Sequence, residues 1–127
     1  MPLHKLWPQM EALVEKGLTK SIGVSNFNTQ LIWDLLTYAR IKPVVNQIEL
    51  HPQNPQPELV RFLLAKNILP VAYCPVSRPT GDRRGLLDNE FLKSLAEKYG
   101  KTVVQVMLNW GLCRGHCLIP KANSPTH

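Results

Sequence analysis

Extended, strand-like segments begin near residues 21, 44 and 69, and a helix-period segment lies between each pair, so a unit of about 23 to 25 residues repeats along the chain. That spacing is too long for hairpins. It holds one strand and one helix, which is what parallel neighbours need to be joined by a crossover. The pattern continues to the end of the sequence and predicts the order αβαβαβααβ.

The individual elements follow from periodicity and punctuation. Leu6, Met10, Leu13 and Val14 form a helical stripe that stops at Gly17. Ser21 to Val24 reads as the first strand. Asn28 or Thr29 caps a second helix with Leu31, Ile32, Leu35 and Leu36 on one face, and Pro43 restarts extended chain into a strand from Val44 to Leu50. Pro57 opens a third helix that buries Leu59, Val60, Leu63 and Leu64, and Asn67 breaks it before a strand from Leu69 to Tyr73. Cys74 to Leu87 reads as a long surface loop closed by Asp88 as a helix cap. A helix from Asn89 stops at Gly100, Thr102 and Gln105 form a capping box for the next, and Cys117 to Ile119 is the last strand. Trp7, Trp33 and Trp110 fall at helical positions and are expected to pack there.

Two architectures suit this order: an open doubly wound sheet and a piece of a (β/α)8 barrel. Near-uniform repeats favour the barrel, as do polar residues at strand C-terminal ends (Ser25, Asn26, Gln47, Glu49, Tyr73), the end where barrel sites gather. The phosphate-binding GxGxxG and P-loop patterns are absent, which counts against a Rossmann half. With 127 residues and 44% hydrophobic side chains the chain suits one domain with a core that needs no staples. The net charge of +6 suits an anionic partner, yet the basic residues are scattered and no arginine-rich arm or zinc-finger spacing occurs, so nucleic acid is not expected. No apolar run approaches 18 residues, so no membrane association is expected. Three cysteines and no secretory pattern in MPLHKLWPQM point to a reducing, cytoplasmic compartment.

Longer motifs narrow the reading. Met10-Glu11, the run Gly17 to Asn28 (GLTKSIGVSNFN), Val45-Asn46-Gln47-Ile48-Glu49 with His51-Pro52, Ala72-Tyr73-Cys74-Pro75 and Ile119-Pro120-Lys121 occur in the order and spacing of the aldo-keto reductases, which the chain resembles over nearly its whole length. The resemblance implies a parallel α/β fold of the (β/α)8 TIM-barrel type, here about half a barrel of roughly four strands, with residues 1–127 as a partial domain. It implies an NADP-dependent oxidoreductase that interconverts aldehydes or ketones and alcohols by hydride transfer.

The resemblance also places this chain from the fourth helix to the eighth strand. The family's Tyr acid, its tuning Lys and Asp, and its His belong to the preceding half, so no catalytic residue is assigned here and the isolated chain is expected to be inactive. Tyr73 and Lys121 are not those groups, and His51 is a strand-exit residue. The implied role is to hold NADPH. Ser25, Asn26 and Gln47 would fix the nicotinamide carboxamide, since side-chain amides both donate and accept. Tyr73 would stack on the ring, and Ser77 would contact the pyrophosphate beside Arg78, Arg83 and Arg84. Lys121 would pair with the 2′-phosphate. Cys74 stands where the family commonly has Ser and offers a weaker donor.

His116 between Cys113 and Cys117 lacks a second ligand pair, so no metal site is assigned, and a turn of small buried thiols explains the spacing. The expected partners are a small carbonyl substrate and either a second copy of the chain or an N-terminal half barrel, because four strands leave two unpaired edges. The alternative function is a non-catalytic truncated homologue that binds only nucleotide or a partner protein.

Overall fold

The computed structural model describes residues 1–77 and 85–122. Its elements are α1 (Leu3–Glu15), β1 (Val24–Ser25), α2 (Thr29–Tyr38), β2 (Val45–Glu49), α3 (Pro57–Ala65), β3 (Leu69–Tyr73), a single 3-10 turn (Gly85–Asp88), α4 (Glu90–Tyr99), α5 (Val103–Leu112) and β4 (Cys117–Leu118). The strands form one sheet in the order β1-β2-β3-β4, parallel at β1–β2 and at β3–β4. The chain divides into two compact units, Met1–Ile48 with Pro57–Pro70, and Glu49–Gln56 with Val71–His127.

In the first unit α1 ends where Gly17 takes φ +69°. Leu18 and Gly17 then donate their backbone N–H groups to the carbonyls of Leu13 and Val14, a closure that a Cβ would strain. Gly23 is required for space instead, since a Cβ there would run into the Val45 side chain and sit 3.0 Å from the Val45 carbonyl oxygen. Asn28 caps α2 by accepting from Leu31 N at 2.9 Å. Trp7, Ile22 and Leu35 centre the core, with Met10, Val14, Phe27 and Ile41 packed on them, and the Trp7 indole donates to the Ile41 carbonyl at 2.9 Å. Full burial of side chains this large contributes about 2 to 3 kcal/mol each.

Glu11 is the one acidic side chain buried in that unit, 1% exposed, and it is fully employed. Oε1 accepts from the backbone N–H groups of Arg40 and Ile41 at 2.8 and 3.0 Å, and Oε2 takes the Arg40 guanidinium at 3.0 and 3.1 Å. Burial alone pushes this carboxyl up, but the two backbone donors and the guanidinium together outweigh it and hold it below the usual carboxylate range.

In the second unit Asn89, accepting from Leu92 N at 3.1 Å, caps α4, and the expected cap Asp88 instead closes the 3-10 turn. Thr102 and Gln105 form the reciprocal capping box of α5, with bonds of 2.9 and 3.1 Å. Leu86, Ala96 and Met107 are buried there. His116 is buried at 4% exposure with neither ring nitrogen hydrogen-bonded, and its ring meets the Trp110 indole edge-on at 5.9 Å. Burial, and then the Arg114 charge, push the imidazole down from its ordinary value.

Several local expectations shift. The first and last strands are each two residues long. Leu31 and Leu64 are 42% exposed, because Ile32–Leu35 and Val60–Leu63 take the core stripe and a residue one step away is rotated about 100° off it. Trp33 is also exposed, its ring covered by the Lys66 ammonium at 4.3 Å rather than by core. Cys113 and Cys117 are exposed, so the buried member of that turn is the histidine and not the thiols. Of the long loop, residues 78–84 lie outside the described residues.

Two predictions follow from the buried ionisable groups. Glu11→Gln sets amide hydrogens against the Arg40 guanidinium and should cost about 1 to 3 kcal/mol in urea unfolding. Below about pH 4.5 the unfolded chain binds the Glu11 proton before the native one does, so wild-type stability falls as pH drops through the lowered native value, and the Gln variant lacks that component. His116 acts higher on the scale. Below about pH 6.5 the unfolded imidazole takes up a proton that the buried one resists, so stability is lost as pH falls from there. Urea midpoints at pH 7.5 and 5.5 should therefore differ less for His116→Leu than for the wild type.

Candidate functional site

The polar residues singled out by sequence fall at strand C-terminal ends in both units. In the first, the parallel register pairs Val24 with Asn46 and Ser25 with Gln47. The Gln47 carbonyl accepts two bonds at 2.9 Å, from the Ser25 hydroxyl and from Asn26 N. The chain leaves the ladder at Asn26 with φ +58°, a left-handed conformation that Asn tolerates better than most residues. Ser25 and Asn26 are exposed and Gln47 is half-buried. Because the Ser25 proton is engaged by Gln47, that hydroxyl meets a further group through its lone pairs, as an acceptor.

Sequence reading passed over Asn46, which is fully buried. Its Nδ2 donates to the Phe27 carbonyl at 2.8 Å and its Oδ1 accepts from Phe27 N at 3.3 Å. A signal was available in Val45-Asn46-Gln47-Ile48-Glu49, where strand alternation puts Asn46 on the same side as the buried Ile48.

The second unit carries the rest. Glu49 presents its carbonyl to the side-chain amides of Asn54 and Gln56 at 3.0 and 2.8 Å, which organises the turn after β2. His51 is buried there and its Nε2 lies 3.3 Å from Glu49 Oε1. Tyr73 ends β3 half-buried. The turn that follows is closed by Ser77 N donating to the Cys74 carbonyl at 2.8 Å, with Cys74 at φ +48° and Ser77 at φ +64°. Three of the seven expected cofactor residues, Asn26, Cys74 and Ser77, thus have left-handed backbones. Such conformations cost stability and collect where a loop must present groups in a set direction.

Ile119 N donates to the Ala72 carbonyl at 3.1 Å, extending the β3–β4 pairing by one bond toward Lys121, which is exposed. Arg78, Arg83 and Arg84 lie outside the described residues. No group of three or more His, Cys, Asp or Glu that could hold a metal occurs among the described residues, and no helix there is long and apolar enough to cross a membrane.

Taken separately, the residues of each unit fit one part of a nicotinamide dinucleotide by chemistry. Two side-chain amides and a hydroxyl acceptor match a carboxamide, and a phenol ring at a strand end offers a flat face.

Comparison with known proteins identifies the family. The aldo/keto reductase family model matches residues 1–127. Aldose reductase B of Dictyostelium discoideum is 50% identical over 123 residues, covering 97% of this chain and 39% of that protein. A probable NAD(P)H-dependent D-xylose reductase of Aspergillus flavus is 46% identical over 133 residues, covering 98% of this chain and 42% of that one. Among solved structures, an aldose reductase from Giardia lamblia superposes with a TM-score of 0.93 at 40% identity, covering 99% of this chain and 43% of that chain. The chain thus spans about two-fifths of the length of these relatives, and its parallel sheet with helical crossovers is part of a (β/α)8 barrel as expected. The family model spans the whole chain, and the chain belongs to the aldo/keto reductase family.

Proposed function

We propose that this chain is the cofactor-holding part of an NADP-dependent reductase that interconverts aldehydes or ketones and alcohols. The observation that carries the reading is the polar arrangement at the C-terminal ends of β1 and β2, where Ser25 and Asn26 are both fastened to the Gln47 carbonyl beside two side-chain amides. The nicotinamide relatives support it, since the xylose reductases it resembles are named as NAD(P)H-dependent.

In this reading Asn26 and Gln47 bind the carboxamide of the cofactor by donating and accepting, and Ser25 accepts from it. Tyr73 covers one ring face. The bound cofactor supplies the hydride, while these side chains decide which ring face meets the substrate. Cys74 and Ser77 belong to the turn assigned to the pyrophosphate. Lys121 gives a point charge for a 2′-phosphate, which is the preference for NADP over NAD in this proposal. The three free thiols fit a reducing, cytoplasmic setting.

The acid that protonates the carbonyl oxygen is assigned to a preceding half barrel and not to this chain. β1 and β4 close the strand order on either side, so each has one flank without a strand neighbour among the described residues. Such edges recruit strands. We assign a complementary N-terminal half as the partner that covers them, with a second copy of the chain as the competing occupant.

Two measurements test this. The purified chain should oxidise no NADPH with a model aldehyde, because general-acid catalysis alone supplies about 10²- to 10⁴-fold of the rate. Mixing it with the N-terminal half of a related aldose reductase should give a one-to-one complex in sedimentation and restore turnover. Turnover by the isolated chain overturns the division of labour, and a complex that binds no NADPH favours the non-catalytic reading. Within the complex, Tyr73→Ala and Gln47→Ala should each weaken NADPH binding about tenfold. Unchanged affinity in both variants rejects the assignment.

A further inference from the structure

We propose that Asn46 is a positioning residue for the nicotinamide end of the cofactor site, acting on Asn26 through the backbone of Phe27. The inference rests on the nicotinamide reading above and adds a residue that touches no ligand. Asn46 is fully buried on β2 and spends both ends of its amide on one residue, donating to the Phe27 carbonyl at 2.8 Å and accepting from Phe27 N at 3.3 Å.

A side-chain amide carries the same donor and acceptor pair as a peptide group, so this contact works as an extra rung past the point where β1 ends. Its neighbour Gln47 holds Ser25 and Asn26 through its carbonyl. One dipeptide of β2 therefore fixes three successive residues, Ser25, Asn26 and Phe27. Between the two clamps sits Asn26 at φ +58°, a conformation that a free turn would leave for the right-handed or extended regions. Held on both sides, Asn26 has little backbone freedom, and that sets the direction in which its side chain is offered.

The demand for asparagine is chemical. Aspartate is nearly the same shape, but as a carboxylate it only accepts, so its second oxygen would face the Phe27 carbonyl with no proton between them. Protonated aspartic acid restores one donor and one acceptor. Asn46→Asp should therefore behave as a clamp that opens at neutral pH and closes in acid.

The test uses the 127-residue chain in its complex with the N-terminal half of a related aldose reductase and two probes, NADP+ and adenosine 2′,5′-bisphosphate, which lacks the nicotinamide. At pH 7.5, Asn46→Asp should weaken NADP+ about tenfold relative to wild type, equivalent to one lost hydrogen bond, and leave adenosine 2′,5′-bisphosphate within about twofold. Burial and the facing Phe27 carbonyl both favour the protonated acid at position 46, so at pH 5.0 the NADP+ ratio to wild type should move back toward one. In an Asn26→Ala background the same change should cost no further NADP+ affinity. Backbone amide exchange should speed up at Asn26 and Phe27 while α2 stays protected.

A parallel loss of both probes, or no loss of either, overturns the proposal in favour of a purely structural Asn46. If wild type binds neither probe, the nicotinamide reading fails and amide exchange decides alone, with unchanged rates at Asn26 and Phe27 refuting the clamp. Should Asn46→Asp not fold, Asn46→Ser, smaller and uncharged, carries the two-probe comparison at pH 7.5 and should show no recovery at pH 5.0.

Discussion

Parallel pairing governs this molecule. β1 pairs with β2 and β3 with β4 in the parallel sense, and such neighbours cannot be joined by a tight turn, so each strand must be followed by a helical return. The return helices need defined ends. Asn28, Asn89 and the Thr102–Gln105 box supply the starts, and Gly17 and Asn67 in left-handed conformations supply stops. Because every strand runs the same way in its pair, the residues that leave a strand are released from the ladder at one end only. Polar groups collect there, and the candidate site is made of them.

Polar side chains then take over the work of the ladder. At the end of β1 the Asn46 amide and the Gln47 carbonyl hold three residues, and at the end of β2 the Glu49 carbonyl is met by Asn54 and Gln56. A buried donor or acceptor left without a partner costs about 1 to 3 kcal/mol, so amide side chains are suited to places where the backbone must stop pairing yet stay in order. The same residues that satisfy the backbone are adjacent to those assigned to the cofactor. Fold and proposed function meet in one dipeptide, Asn46-Gln47.

The two units treat a buried ionisable group in opposite ways. Glu11 is buried with four donors gathered on its two oxygens and stays charged. His116 is buried with neither nitrogen hydrogen-bonded and is held toward its neutral form. The first is a fastening between α1 and the chain leaving α2, dependent on ionisation. The second is tolerated only while the ring remains uncharged, and its contact with Trp110 is of the kind any ring could make.

By itself the sequence determined the element order, the cap at Thr102, a choice of Asn28 or Thr29 for the cap of α2, the stops at Gly17 and Asn67, and, through its motifs, the family and the set of residues to be weighed for a cofactor. These are legible because turn chemistry and periodicity act over a few residues, and the motifs are contiguous. Tertiary structure decided the rest: that Glu11 is a buried carboxylate bound to residues 29 and 30 positions away, that Asn46 reaches Phe27 across 19, that the Ser25 proton is already engaged by Gln47, and that Trp33 stands outside the core while His116 lies within. A polar residue in a strand reads the same from sequence whether it faces water or a distant backbone, because its partner is chosen only when the strands pair and the chain between them has closed.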